Sequence, residues 1–258
     1  MSAEKKLPYD RTLLTKTLPF GDANKFVLRD QSFLDGADIG VINDSVYAIH
    51  TDKKKVTFNR AQPMDYDKIL IATGGTARKP PIPGIDSKHV YFLRSANDQE
   101  KIKKQAEDIR NGVAIIGSGF IGSEAAAALK MKYKCQFQVH MIGMEEYPLE
   151  LALGKEVGKM IAEEHENNGV ILHMQSGVRE IEKDSHGNAS AVVLNSGERI
   201  SVDMVIVGTG IAPATKFLAR EETGIKLDAQ GAVICDPFLQ STAPDIYAAG
   251  DVCSFPYW

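Results

Sequence analysis

Apolar positions in this chain fall into short runs separated by charged or glycine-rich stretches, and the rhythm changes near residue 112. Before that point the runs are brief. Residues 24–36 read as a short helix opened by Asn24 and closed by Gly36. DIGVI (38–42), SVYAI (45–49) and KKVTF (54–58) read as strands between polar turns. YDKILIATGG (66–75) is a stronger strand with a glycine end. RKPPIPGID (78–86) cannot be helix, because Pro80, Pro81 and Pro83 remove donors and fix φ; it predicts a linker and a domain crossing. Residues 96–110 have charged helical character, and Asn111-Gly112 predicts the stop.

After that the pattern is a steady strand–helix alternation. Val113–Ile116 is a strand, 120–131 a helix, 136–142 a strand, 154–169 a helix and 170–175 a strand. Residues 178–184 and 190–200 predict an antiparallel excursion turning at SHGNA. SVDMVIVGTG (201–210) and STAPDIYAAGDV (241–252) are again buried strands with glycine ends. Such alternation implies an α/β fold with parallel, doubly wound sheets, whose ligands sit outside the carboxyl ends of strands. Several glycine-ended strands suggest more than one dinucleotide surface.

Composition narrows the partners. A net charge of −4, with 43% hydrophobic and 25% charged residues, is ordinary for a globular protein and gives no reason to expect nucleic acid. No apolar run approaches a bilayer span, and MSAEKKLPYD lacks a secretory apolar core, so an intracellular chain is expected, cytoplasmic or mitochondrial. Cys135, Cys235 and Cys253 are far apart in sequence and form no metal quartet or disulfide framework; buried reduced thiols are expected.

The sharpest chemistry lies in GVAIIGSGFIGSEAAAALK (112–130). Gly117, Gly119 and Gly122 give G-x-G-x-x-G directly after a strand. Gly117 permits the tight turn, Gly119 lets backbone approach a pyrophosphate, and Gly122 allows close helix–strand packing. Phe120 and Ile121 open the helix, whose amides and positive dipole end face the phosphates. Glu124 follows in the first turn; a carboxylate is favoured there in any case, and a role near the nicotinamide is the alternative. The acid expected at the end of the next strand is absent, since that strand ends in Gly143. Glu145 and Glu146 come just after it. NAD versus NADP stays open, with the acidic corner leaning towards NAD.

LPYDRTLLTK, YDKILIATGGTARKPPIPG, VAIIGSGFIGSE, VGTGIAPAT and DIYAAGDV occur in an order that resembles the FAD-dependent pyridine nucleotide-disulfide oxidoreductases. Within that superfamily the chain resembles the ferredoxin-reductase type, and most of all its apoptosis-inducing-factor-like branch. The resemblance implies two Rossmann-like FAD/NAD(P)-binding domains, with an NAD(P) domain (83–211) inserted in a partial FAD domain (1–82 and 212–258). It implies hydride transfer from NAD(P)H to FAD and then to an acceptor. Carried over, Lys16 and Arg11 lie near the flavin, where a cation would stabilise the charge gained on reduction. Thr73, Gly74 and Gly75 would meet the ADP portion of FAD, and Asp251 its ribityl or pyrophosphate region. Gly208 and Gly210 would approach the nicotinamide nucleotide. Read alone, Arg11 and Lys16 are a solvated basic turn, and Asp251 is a plain turn residue.

The chain departs from the pattern in two respects. Only one glycine fingerprint is present, so an incomplete chain at both ends is expected, one that binds NAD(P)H but holds FAD weakly or not at all. No close cysteine pair accompanies the flavin motifs, so one-electron or quinone-like acceptors suit it better than a disulfide. A non-enzymatic NAD-binding remnant, and one half of a split enzyme completed by a partner chain, are the alternatives.

Overall fold

A computed structural model describes residues 1–18, 22–134, 136–220 and 222–256. Cys135, and Tyr257 and Trp258 of the apolar terminal stretch, lie outside the described residues. The chain forms two compact units: one from residues 1–7, 29–76 and 211–258, the other from 8–28 and 77–210.

The second unit is built on a five-stranded sheet. Its strands are β1 (Val90–Phe92), β2 (Gly112–Ile116), β3 (Gln138–Ile142), β4 (Val170–His173) and β5 (Met204–Val207). They lie in the order β1-β5-β2-β3-β4, all parallel. β2 is buried along its whole length. Its side chains alternate between two cores, as a strand between two layers must. Val113 and Ile115 join Leu14, Ile102, Ala125, Ala126 and Leu129, which belong to helices α1 (Leu13–Lys16), α2 (Ala96–Ala106) and α3 (Phe120–Tyr133). Ala114 and Ile116 join Ile181, Val192, Leu194 and Ile200 of an antiparallel sheet formed by Val178–Lys183, Ala189–Leu194 and Arg199–Ser201. The predicted antiparallel excursion therefore covers the face opposite these helices. Each fully buried Ile or Leu contributes about 1.5–3 kcal/mol.

Local chemistry sets the helix bounds. α2 starts at a capping box: Ser95 accepts from the Asp98 amide, and the Asp98 carboxylate accepts from the Ser95 amide. It ends at Ala106, short of the expected Asn111-Gly112 stop, because Gly112 already belongs to β2. Its buried Gln99 donates to the Leu14 carbonyl at 3.0 Å, tying α1 to the unit. Residues 8–28, which precede the first boundary expected above, thus pack in the second unit. α4 (Glu150–Leu153) and α5 (Lys155–Asn167) follow β3, and Ser123 of α3 meets His165 of α5 at 2.9 Å in a buried contact.

The first unit pairs strand Ile69–Ile71 in parallel with Ile246–Ala248, over a core of Ile49, Ile71, Val233, Ile246, Ala248 and Val252. Two expectations fail on either side of Asp30. The single helix over 24–36 is a 3₁₀ turn at Ala23–Phe26 and an α-helix at Gln31–Gly36. Asp30 is the reason: it is extended, and its carboxylate caps the second helix through the Phe33 amide at 2.9 Å. Residues 38–42 form no strand; Asp38 has φ +55° and Ile39 is exposed.

Candidate functional site

The glycine turn sits at the carboxyl end of β2, and each glycine there has its own physical reason. Gly117 has φ +109°, and a Cβ on it would lie 2.5 Å from the Gly208 carbonyl oxygen. Gly122 is packed harder still: a Cβ would sit 1.9 Å from the Gly117 carbonyl oxygen. Gly119 differs. It is extended (φ −75°, ψ −170°), and a Cβ there meets no protein atom within 4 Å. It serves as the N-cap of α3, has no side chain to offer, and is followed by the half-exposed Phe120 and the partly buried Ile121. The turn after β5 joins this edge. Gly208 donates to the Ile116 carbonyl at 2.8 Å, and a Cβ on it would be 3.2 Å from the Gly122 nitrogen. Gly210 has φ +91° and is exposed. Gly117, Gly119, Gly122 and Gly208 therefore lie along one backbone edge at a helix N-terminus, which suits an anionic pyrophosphate.

The end of β3 explains the missing acid. A Cβ on Gly143 would lie 2.5 Å from Ser118 Oγ, so Ser118 fills the space that a side chain at the strand end would need. The Ser118 hydroxyl donates to Glu145 at 2.8 Å, and the Ser118 carbonyl accepts from the Leu149 amide at 2.9 Å. Glu146 instead pairs with Lys155 at 2.6 Å, and that bond holds its carboxyl below the usual range.

One turn into α3, Lys16 Nζ lies 3.0 Å from one oxygen of Glu124, and the Thr15 hydroxyl donates to the other. The structure thus brings together the two candidates singled out separately in the sequence, and adds Thr15, which sequence reasoning missed. Arg11 is anchored within the same unit: it donates to the Arg94 carbonyl at 2.6 Å and to the Tyr9 hydroxyl at 3.2 Å.

In the first unit, Thr73 and Gly74 follow one strand of the Ile69–Ile71 and Ile246–Ala248 pair, and Asp251 follows the other. Thr73 donates to the Ala214 carbonyl at 3.0 Å, and Gly74 has φ +62°. Gly75 is packed closely, since a Cβ would sit 2.8 Å from the Ile211 side chain. Gly250 has φ +79° and a Cβ there meets no protein atom within 4 Å, while Asp251 is exposed beside it. This second glycine turn at parallel strand ends fits a further dinucleotide.

The expectation of isolated, buried thiols needs correction. Cys235 is buried, but Cys253 is partly exposed, and strands Val233–Ile234 and Cys253–Ser254 pair in parallel. Burial pushes the Cys235 thiol up, with the neighbouring Cys253 adding to it. Val233, not Cys235, is the register partner of Cys253. Cys235 lies two positions beyond that partner, and both thiols are free, each close enough to bear on the other's titration.

Residues 1–257 match the family of pyridine nucleotide-disulphide oxidoreductases. The chain belongs to that family. It is 33% identical over 254 residues to apoptosis-inducing factor 3 of Homo sapiens, covering 98% of this chain and 40% of that protein. Among solved structures, the ferredoxin reductase for the CYP199A2 system of Rhodopseudomonas palustris superposes with a TM-score of 0.91 at 26% identity, over 99% of this chain and 62% of that one. The covalent putidaredoxin reductase–putidaredoxin complex gives 0.88 at 26%, over 98% and 60%. The chain thus spans 40–62% of these relatives' length, less than two thirds. The α/β fold is that of the pyridine nucleotide-disulphide oxidoreductases, with Rossmann-type FAD/NAD(P)-binding domains. Among the described residues no helix is long and apolar enough to cross a membrane.

Proposed function

We propose that this protein is an FAD-dependent NAD(P)H oxidoreductase that passes electrons to an acceptor other than a disulfide. The observation that carries the proposal is the Lys16–Glu124 pair at 3.0 Å, one turn into the helix whose N-terminus ends the glycine turn. Gly117, Gly119 and Gly122, with Phe120 and Ile121, hold the pyrophosphate of NAD(P)H, and the open side of Gly119 admits it. Gly208 and Gly210 carry the backbone past the nicotinamide nucleotide. Thr73, Gly74 and Asp251 hold FAD, and Arg11 braces the segment that bears Lys16. FAD, when bound, supplies the hydride acceptor and the route to the next electron carrier.

Lys16 is half exposed and pairs with Glu124 at 3.0 Å; in this reading it is the cation that stabilises the charge the flavin gains on reduction. Thr15 and Lys16 divide the two oxygens of Glu124 between them, so the carboxylate cannot swing away from the ammonium. In this reading residues 83–211 form the NAD(P) domain and 1–82 with 212–258 belong to the FAD domain. The acceptor is a small electron-transfer protein or a quinone-like molecule, since one solved relative is a reductase bound to putidaredoxin. An intracellular site, cytoplasmic or mitochondrial, completes the proposal.

The test is NADH oxidation by the chain with added FAD and either ferricyanide or a soluble quinone as acceptor. Turnover that falls in Lys16→Met while NADH affinity holds supports the assignment. Turnover equal to that of free FAD overturns it and leaves a nucleotide-binding protein without redox activity.

A further inference from the structure

The preference between NADH and NADPH is written in the corner beyond β3. In dinucleotide-binding folds a carboxylate at the end of this strand accepts the adenosine ribose hydroxyls and repels a 2′-phosphate. Here that position is Gly143, and a side chain on it would force Ser118 and Met174 to shift, because a Cβ would fall 2.5 Å from Ser118 Oγ and 2.8 Å from Met174 Cε. The carboxylate comes from two residues further on. Glu145 reaches back to the Ser118 hydroxyl at 2.8 Å, and so stands beside the space closed to residue 143.

The loop that delivers it is held in place. The Leu149 amide donates to the Ser118 carbonyl at 2.9 Å, and the Gln175 amide donates to the Glu145 carbonyl at 2.9 Å. Leu149 itself has φ +59°, a conformation a leucine adopts only when its surroundings hold it there. Ser118 is buried and lies between the first two glycines of the pyrophosphate turn, so this hydroxyl links the turn to Glu145. The corner's charge points the same way. Between Gly143 and Gly154 stand Glu145, Glu146 and Glu150 and neither lysine nor arginine. The neighbouring Lys155 is held by Glu146 at 2.6 Å and Glu150 at 3.8 Å.

We propose that Glu145, positioned by Ser118, is the residue that selects NADH over NADPH. The inference rests on the nucleotide reading of the glycine turn. Glu145 accepts from the ribose hydroxyls of NADH, and its charge opposes a 2′-phosphate; Ser118 keeps its carboxylate at the turn and keeps residue 143 a glycine.

The experiment is equilibrium binding of NADH and NADPH, and of ADP-ribose and its 2′-phosphate, to the whole chain and to Glu145→Gln, Ser118→Ala and Gly119→Val. The wild type is expected to favour the unphosphorylated ligands by at least about 30-fold, about 2 kcal/mol. Glu145→Gln is expected to cut that ratio to below about fivefold, with an unchanged unfolding transition; Ser118→Ala gives an intermediate ratio. A ratio in Glu145→Gln equal to the wild type, with both still blocked by Gly119→Val, overturns the selector and leaves the nucleotide site standing. Absence of binding by any of the four ligands to the wild type overturns both.

Discussion

Replacing Gly119 by valine separates binding from folding. Gly119 is extended at φ −75° and ψ −170°, a conformation open to any residue, and a Cβ there meets no protein atom within 4 Å. The folded chain therefore has room for the new side chain. The cost to the protein is that of a poorer N-cap, about 0.5–1 kcal/mol, or a fall in Tm of about 1–4 °C for a chain of this size. The cost to the nucleotide is larger, because the branched side chain occupies the space through which backbone and pyrophosphate come together. A loss of at least about 100-fold in NADH affinity is expected, about 2.7 kcal/mol. Calorimetric titration with NADH, beside scanning calorimetry of the same preparations, reads both quantities. Gly122→Ala is the control: its Cβ would lie 1.9 Å from the Gly117 carbonyl oxygen, so it loses stability as well as affinity, by about 1–3 kcal/mol or more. An affinity in Gly119→Val within threefold of wild type refutes the pyrophosphate seat; a collapse in Tm refutes the claim that the site is open to added bulk.

Lys16→Met is expected to slow turnover about 100-fold while moving stability by less than about 1 kcal/mol, because the Lys16–Glu124 pair is half exposed; steady-state rates and urea unfolding measure the two. Thr15→Val lowers turnover by less, and Thr15→Ser restores it; equal rates in the two variants would exclude the hydroxyl. His140 is buried beside His173 at 3.0 Å, and burial first, then His173, lowers its pKa from 6.5 to about 4. The unfolded chain takes up that proton first, so the contribution is complete above about pH 6.5 and fades as pH falls towards 4, by up to about 3 kcal/mol. Urea midpoints at both ends of that window should converge in His140→Asn and diverge in the wild type. Asp44 accepts from the amides of Ser45, Arg60 and Ala61, and these, the Ala61 bond foremost, hold its carboxyl at about 2. Its stabilisation is present above about 3.8 and lost as pH falls through about 2, so Asp44→Ala lowers Tm at neutral pH and the deficit disappears in strong acid.

What was legible in the sequence was whatever is decided locally. The run Val113–Ile116 followed by three spaced glycines specifies a buried strand, a turn and a helix start, and Gly117 and Gly122 carry the constraints their places implied. The helix expected over 24–36 from Asn24 and Gly36 passes over Asp30, a strong N-cap in the middle of the window. Contacts between distant segments left no local trace. Thr15 and Glu124 are 109 residues apart, and nothing in LTK or GSE announces that a hydroxyl will meet a carboxylate. Gly143 looked like a lost acid; only packing shows that Ser118 takes its space and donates to Glu145. The two cysteines likewise needed the strand register to become neighbours.

The most direct test of the central claim is the visible flavin absorbance of the chain mixed anaerobically with excess FAD and then NADH. Excess FAD makes the result independent of how tightly the flavin is held. Bleaching much faster than that of free FAD with NADH, and returned to the free rate by Gly119→Val, is the predicted result. Bleaching at the free rate in the presence of a protein that binds NADH would contradict the proposed oxidoreductase.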